Sequence, residues 1–228
     1  MEKQRYNPLN QIHKGLRMMM YETGIALQHS DFSMEESAEH AFENVEVMLD
    51  IVEDHSSHEE KFILVVLDKM EPDTAASFKE DHSNHHNLGK LLRESIKNWR
   101  KSTSNEERNL AGWKAYYLFN EFVAAKLLHM NKEEAQVNPV LWAHFSDHQL
   151  LAFQLRIVAS IDPAKKPVEF RWMMKGLNTS EIINWLREIR KVTHEAVFQS
   201  FWQLAIEEMP LSSLPAVCDA MAEGSIAE

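Results

Sequence analysis

Apolar residues recur every three or four positions along most of the chain, as in α-helices with one buried face. The first such segment begins after Asn7-Pro8 and runs to about His29. The second begins at Ser33, where Glu36 completes a capping-box signature. Its pattern continues without a break as far as Met70. We therefore expect two helices here, the second of them long and uninterrupted.

Two further long helices follow. The third is expected from about Asp73 to Lys101, where a polar stretch at residues 102–105 ends it. The fourth is expected to end near Asn138-Pro139. Four long helices with short connections predict an up-down-up-down antiparallel four-helix bundle over residues 1–138.

Residues 139–228 have the same spacing in shorter segments. A capping pair, Ser146 and Gln149, begins one segment, and others begin near Thr179 and Thr193. We expect a helical extension that packs on the bundle or forms a homodimer contact. The predicted fold class is all-α.

Charge and composition narrow the range of partners. The formal net charge of −11 disfavours nucleic acid and anionic membrane surfaces. The single cysteine, Cys218, cannot form an intramolecular disulfide, and the start MEKQRYNPLN has no apolar stretch of signal-peptide type. We therefore expect a cytoplasmic protein without a membrane partner.

Twelve of the 228 residues are histidines, and their spacing is informative. Side chains four positions apart share one helix face, so a His followed four residues later by a His or a carboxylate can bind one metal ion. Four pairs have this spacing: His55 and Glu59, His82 and His86, His129 and Glu133, and His144 and His148.

His13 and two of these pairs fall at one predicted height in the bundle, and the fourth-helix pair fits less well. In antiparallel helices, residues equally far from a turn lie at the same height, at about 1.5 Å rise per residue. His13 and His55 are centred on the predicted turn beside Ser33, and the pairs of the second and third helices are centred on Met70. The fourth-helix pair fits if the third turn extends to about residue 110.

Seven residues therefore converge: His13, His55, Glu59, His82, His86, His129 and Glu133. Five imidazoles and two carboxylates suit iron better than structural zinc or magnesium. Two ions are accommodated if Glu59 and Glu133 bridge them. With an oxo or hydroxo bridge, one ion is six-coordinate and the other five-coordinate, so one position is open for a small molecule.

Several neighbouring histidines are expected to lie outside this set. His144 and His148 should not share a helix face, because the predicted cap Ser146 falls between them. His58 and His85 each precede a predicted ligand by one residue and should point elsewhere.

One ligand position has a rival. On a regular helix four residues turn by about 400° and five by about 500°, so Glu133 lies closer than Glu134 to the direction of His129. We assign the bridge to Glu133, with Glu134 as the alternative.

Other site classes fit less well. A ferritin-like di-iron bundle requires a Glu three residues before a His, and no histidine here has one. The sequence contains no HExxH, Walker loop, GxSxG or paired CxxC motif.

The motifs together resemble the hemerythrin-like (HHE cation-binding) family over roughly residues 7–138. They are His13 in the first helix, HSSHE ending at Glu59, EDHSNHH ending at His86, and HMNKEE in the fourth helix. The resemblance implies a non-haem di-iron centre in a four-helix bundle. It also implies that His82, His86 and His129 bind one iron and that His13 and His55 bind the other.

Two functions from different classes follow, and the sequence leaves open whether the protein is an enzyme. One is binding of dioxygen or a related small molecule at the open iron, for transport, sensing or storage. The other is an enzyme of peroxide or nitric oxide detoxification or iron-sulfur repair. Apolar residues near the predicted ligands, Ile12, Leu16, Ile51 and Phe62, favour binding. A metal-free helical interaction module is the third hypothesis.

Overall fold

The computed structural model describes residues 5–223, and every regular element in that range is helical. The α-helices are α1 (Asn10–Gln28), α2 (Glu35–His58), α3 (Val65–Met70), α4 (Pro72–Lys101), α5 (Asn105–His144), α6 (Asp147–Ser160), α7 (Lys166–Gly176), α8 (Thr179–Val192), α9 (Glu195–Glu208) and α10 (Leu214–Glu223). The all-α fold class is confirmed. Among the helices of this range, none has the length and apolar character needed to cross a membrane.

The described residues form two compact units. The first contains residues 5–8 and 19–160, and the second contains residues 9–18 and 161–223. Residue 138, where the sequence predicts the end of the bundle, lies inside α5, and the division into a bundle and an extension stays a prediction.

The second predicted helix is interrupted. Residues Glu59–Leu64 form a π-helical segment between α2 and α3, where a continuous α-helix is predicted. The predicted cap is also wrong, because the Ser33 hydroxyl donates to Asp31 Oδ1 at 2.6 Å and α2 begins after Met34 without a side-chain cap. π-helical turns within α-helices are frequent at functional sites.

The third turn is short. Ser104 caps α5 with a complete capping box to Glu107, so the helix begins at Asn105. The expected extension of this turn to about residue 110 is therefore wrong.

α5 does not end at Pro139 as predicted. It continues to His144 because Val137 and Leu141 are buried on either side of the proline, and tertiary packing offsets the lost backbone hydrogen bond. The Arg5 guanidinium donates to the carbonyl oxygens of Trp142 and Phe145 at 3.0 and 2.6 Å and so satisfies the end of the helix.

Three helices of the first unit bury residues at alternating three- and four-residue steps. In α2 and the start of the π-helical segment, the buried residues of this repeat are Ala38, Ala41, Val45, Met48, Val52, His55 and Glu59. In α4 they are Ala75, Phe78, His82, His85, Gly89, Leu92, Ile96 and Trp99. In α5 they are Gly112, Ala115, Phe119, Phe122, Lys126, His129 and Glu133. This seven-residue period is that of helices packed side by side at a small crossing angle.

Aromatic residues fill one end of this packing. We call it the aromatic end and define it as Phe32, Phe42 and Trp99 together with Gly112. The rings of Phe42 and Trp99 lie 4.8 Å apart, and Trp99 Nε1 donates to the carbonyl oxygen of Phe32 at 2.8 Å. The Phe32 side chain fills the space beside Gly112 that a Cβ would need. The contact between the start of α2 and the end of α4 shows that these two helices are antiparallel.

The second unit has its own apolar core, formed by α7–α10. Asn178 caps α8 through a capping box with Glu181, whose carboxylate also accepts from Lys14 on α1 at 2.6 Å. The predicted segments beginning near Thr179 and Thr193 are confirmed.

Candidate metal centre

The opposite end of α2, α4 and α5 places polar residues on the buried positions of the same repeat. We call it the histidine end and define it as His55, Glu59, His82, His85, Lys126, His129 and Glu133, all of them buried. Buried charges are costly unless they are paired or bind a metal. Seven such groups in adjacent turns therefore indicate a site and not a packing core.

Glu59 lies between two imidazoles. Its Oε1 is 2.9 Å from His55 Nε2, and its Oε2 is 3.4 Å from His82 Nε2. Each oxygen of one carboxylate thus faces a different histidine. Glu59 is also the first residue of the π-helical segment, a feature that is frequent at functional sites.

His82 and His129 point the same ring nitrogen toward one another. Their Nε2 atoms are 3.0 Å apart. On the outer side, His82 Nδ1 is 3.1 Å from the Glu60 carboxylate and His129 Nδ1 is 3.4 Å from that of Asp81. A carboxylate at Nδ1 fixes the tautomer that leaves the Nε2 lone pair available, as is typical of metal-binding histidines.

Glu133 completes the cluster on α5. It is 2 % exposed, and its Oε1 lies 3.2 Å from His129 Nε2. Glu134 is partly exposed and belongs to neither buried group of potential metal ligands found among the described residues. The geometry therefore favours Glu133 over its rival.

The pair His129 and Glu133 of α5 reaches the height of the α4 histidines without a longer turn. Measured from the turn at residues 102–104, His82 and His129 differ by about five residues, or roughly 7.5 Å. Helical side chains lean toward the N-terminus of their own helix, so His82 leans away from the turn and His129 leans toward it. The two imidazoles meet for this reason.

Two overlapping sets of ligand atoms emerge in the first unit. Glu59, His82, His129 and Glu133 each offer one atom within 4.8 Å of the others, and His55, Glu59 and Glu133 do the same. Both carboxylates belong to both sets. These buried groups could hold a metal ion.

Two predicted ligands are placed differently. His13 is fully buried on α1, in the segment that clusters with the second unit. The side chain of His86 is 48 % exposed, and its Nδ1 lies 3.0 Å from Glu53 Oε1. The roles of His13 and His86 as ligands stay predictions.

His85 occupies the interior where His86 was expected. It is buried and its ring packs 4.8 Å from that of His129, so the expectation that it points elsewhere is wrong. The physical reason is the three-residue step from His82 in the burial pattern of α4. That pattern was a readable signal, because Phe78, His82, His85 and Gly89 continue it.

Lys126 belongs to the buried cluster but is absent from the site predicted from the sequence. Its side chain is completely buried, one turn before His129 on α5, and its Nζ donates to Ser56 Oγ at 3.1 Å. Burial lowers the pKa of Lys126, while the negative charges of Glu59 and Glu133 act to raise it.

The histidines differ in their affinity for protons. Burial, and after it the positive charge of Lys126, lowers the pKa of both His85 and His129 to about 3. Burial also acts to lower the pKa of His82, but the hydrogen bond and charge of Glu59 outweigh it and raise that pKa. Neutral imidazoles are the form that binds metals.

A cavity of about 360 Å³ adjoins the histidine end between α2 and α4. His82, His85, Ser56 and Phe122 are among the residues that line it. The cluster is therefore accessible to a small molecule.

The exposed pair His144 and His148 has the placement predicted for it. His144 ends α5, His148 lies in α6, and Ser146 caps α6 through Gln149.

Comparisons of the chain with protein-family models, with curated proteins and with solved structures find no match.

Proposed function

We propose that the histidine end holds a dinuclear non-haem iron centre in an up-down-up-down, hemerythrin-like four-helix bundle. Glu59 and Glu133 would bridge the ions, with His82 and His129 on one iron and His55 on the other. His13 and His86 would complete the set predicted from the sequence. The resemblance to the hemerythrin-like family and the shared carboxylates support this proposal.

The observation that carries it is the pair of ligand sets with both carboxylates in common. Separate mononuclear sites would not need to share their carboxylates. The donors are imidazole nitrogens and carboxylate oxygens without a thiolate, a combination that suits iron. The carboxylates at Nδ1 of His82 and His129 orient these donors.

The bound irons would supply an open coordination position and two electrons for a small molecule. Around them, His55 and Glu59 would fix the ligand geometry, and the buried surroundings would limit access by water. We infer that dioxygen or a related small diatomic or peroxide ligand binds there, in a cytoplasmic protein that acts without nucleic acid or membrane partners. A homodimer through residues 139–228 is part of the same proposal.

A second function, turnover of a reduced oxygen or nitrogen species, is favoured by one observation. Polar side chains, among them Ser56 and His85, are part of the lining of the cavity beside the cluster, and Lys126 is buried behind Ser56. A protein that only stores a neutral diatomic molecule needs an apolar and closed pocket, whereas polar groups near the metal promote turnover. The apolar residues Ile12, Leu16, Ile51 and Phe62 lie outside the lining of this cavity.

Metal analysis with an optical titration tests the proposal. We expect about two irons per chain after iron-replete expression, and near-ultraviolet charge-transfer bands when the reduced protein meets air. A single tightly bound zinc, or no metal, would contradict the dinuclear iron assignment. Bands that persist indicate binding, and bands that decay with repeated consumption of oxidant indicate an enzyme.

A further inference from the structure

A second cavity of the first unit lies between α3, the end of α5 and α6, and we call it the α6 cavity. Its volume is about 450 Å³, which is within the range of small-molecule binding sites. None of the residues that line it belongs to the histidine end or to the cavity beside that end. The proposed iron centre therefore does not account for this space.

The wall of the α6 cavity is largely apolar. Leu141 and Leu150 are each 1 % exposed, whereas Ala152 is exposed, so the cavity extends from a buried inner end to solvent. An aliphatic group that enters it leaves water for contact with carbon atoms, and each CH₂ group that is buried strengthens binding. The apolar lining residues are Val66, Leu141, Phe145, Leu150, Ala152 and Phe153.

α6 supplies the polar part of the lining. Gln149, Ala152, Phe153 and Arg156 have the spacing of residues on one helix face. Gln149 Oε1 accepts from the backbone N–H and the hydroxyl group of Ser146 at 2.9 and 3.0 Å, so this side chain is engaged in the cap of α6. Among the described residues that line the cavity, Arg156 is the only charged one, and none is acidic.

The guanidinium group of Arg156 lies at the edge of the cavity without an anionic partner. Its Cζ is 5.4 Å from the ring centroid of Phe153, which lines the same space. Within residues 5–223 this group makes no hydrogen bond or ion pair, whereas Arg93 and Arg100 of the same unit each donate to a carboxylate. The planar group of Arg156 is therefore free to bind a carboxylate from outside through two hydrogen bonds.

We propose that the α6 cavity binds an aliphatic monocarboxylic acid in its ionised form. The hydrocarbon chain lies between α3, α5 and α6, and the carboxylate accepts hydrogen bonds from Arg156. One cation at the mouth matches one negative charge, and the apolar wall matches the chain. This inference goes beyond the proposed function, because no residue of the α6 cavity is a proposed metal ligand.

Calorimetric titration of the full chain with acetate, butyrate, hexanoate and octanoate tests the apolar part of the site. We expect the affinity to rise by roughly fourfold for each added CH₂ group that the cavity buries. Acetate carries the same carboxylate and controls for binding of that group alone, including binding at a metal. Equal affinities for acetate and octanoate, or no saturable binding of octanoate, would overturn the proposal.

Arg156→Met tests the carboxylate contact, with octan-1-ol as an uncharged probe of the same chain length. We expect the substitution to weaken octanoate binding about fivefold, as for an exposed ion pair, and not to weaken octan-1-ol binding. Arg187→Met is the matched control and should change neither affinity, because this exposed arginine of α8 donates to the Ala220 carbonyl oxygen. Wild-type octanoate affinity in Arg156→Met, or equal weakening of both probes, would overturn the proposal.

Ala152→Trp tests the cavity itself. The substitution places a large side chain at the mouth, at an exposed position on which the core does not depend. We expect the binding of octanoate and of octan-1-ol to weaken at least about tenfold, and wild-type octanoate affinity in this variant would overturn the proposal. Iron is counted in the same samples, so an empty metal centre and an empty α6 cavity are separate results.

Discussion

The aromatic end and the histidine end of the first unit are built on the same three helices with the same repeat. At the aromatic end the repeat positions hold Trp99 and Gly112, and the ring of Phe42 packs against that of Trp99. At the histidine end the equivalent positions hold His82, Lys126 and Glu133, which are equally buried. The same buried repeat thus holds apolar residues at one end and ionisable residues at the other.

This difference shows where stability and function lie. Burial of large aromatic side chains stabilises the fold, while buried ionisable groups without full partners reduce stability and are retained for another purpose. We expect the aromatic end to stabilise the packing of the three helices. We expect the histidine end to depend on that packing for the positions of its side chains. Substitutions at the two ends should therefore separate folding from metal binding.

The largest expected effect is on folding. Trp99→Ala removes a ring that is 1 % exposed, together with its hydrogen bond to the Phe32 carbonyl oxygen. We expect a loss of about 3–5 kcal/mol in the free energy of unfolding, measured by urea denaturation of the metal-free chain. Trp113→Ala, on a ring that is 44 % exposed, is the control and should cost much less. Equal losses would mean that the aromatic end does not form the stabilising core.

The next effect is on metal content without a comparable effect on folding. Glu59→Ala removes a ligand from both proposed irons, whereas His13→Ala removes a ligand from one. We expect Glu59→Ala to lose the dinuclear centre more completely, as counted by metal analysis after iron-replete expression. Equal losses in the two variants would contradict the bridging role of Glu59.

The histidine end should also make the metal-free chain sensitive to acid. The pKa values of His85 and His129 are about 3 in the folded chain, below the ordinary value of 6.5. The unfolded chain therefore binds more protons between these values, so their contribution is complete above about pH 6.5 and is lost as the pH falls toward 3. His82 has a raised pKa and opposes this trend.

Urea midpoints measured between pH 7 and pH 4 test this sensitivity. We expect the midpoint to fall with pH, and His85→Gln should make the fall shallower because it removes one of the two groups. His144→Gln, at an exposed position, is the control. An unchanged slope in His85→Gln would show that His85 is not held neutral by burial.

Much of the contrast between the aromatic end and the histidine end can be predicted from the sequence, because the three- and four-residue repeat continues through both ends. The helical class and the convergence of Glu59, His82, His129 and Glu133 follow from spacing and turn positions. A search for four-residue His pairs selects His86, whereas the three- and four-residue burial repeat of α4 selects His85. On a helix these two residues lie on either side of the direction of His82, about 60° and 40° away from it. The pairing rule alone does not decide that choice, and the apolar positions on either side of the histidines have to be read with it.

Two features had no local signal that the sequence reasoning used. The π-helical segment at Glu59–Leu64 contains no Gly or Pro, so nothing in its residues predicts a departure from α-helix. Lys126 is absent from the predicted site, because lysine is ordinarily exposed and its residue type does not indicate burial. Its position in the repeat of α5, between Phe122 and His129, is the signal that could have found it.

The smallest expected effect lies outside both ends. His144 ends α5 at an exposed position. His144→Ala should leave iron content and thermal stability unchanged, measured by metal analysis and a melting curve. A loss of iron in this variant would mean that residues beyond the histidine end contribute ligands.

The iron content of Glu133→Gln compared with Glu134→Gln tests the central claim most directly. The substitutions are isosteric, adjacent on α5, and differ in whether the carboxylate faces the buried cluster. We predict that Glu133→Gln loses iron and that Glu134→Gln retains about two irons per chain. Retention of both irons in Glu133→Gln with an empty site in Glu134→Gln would contradict the account.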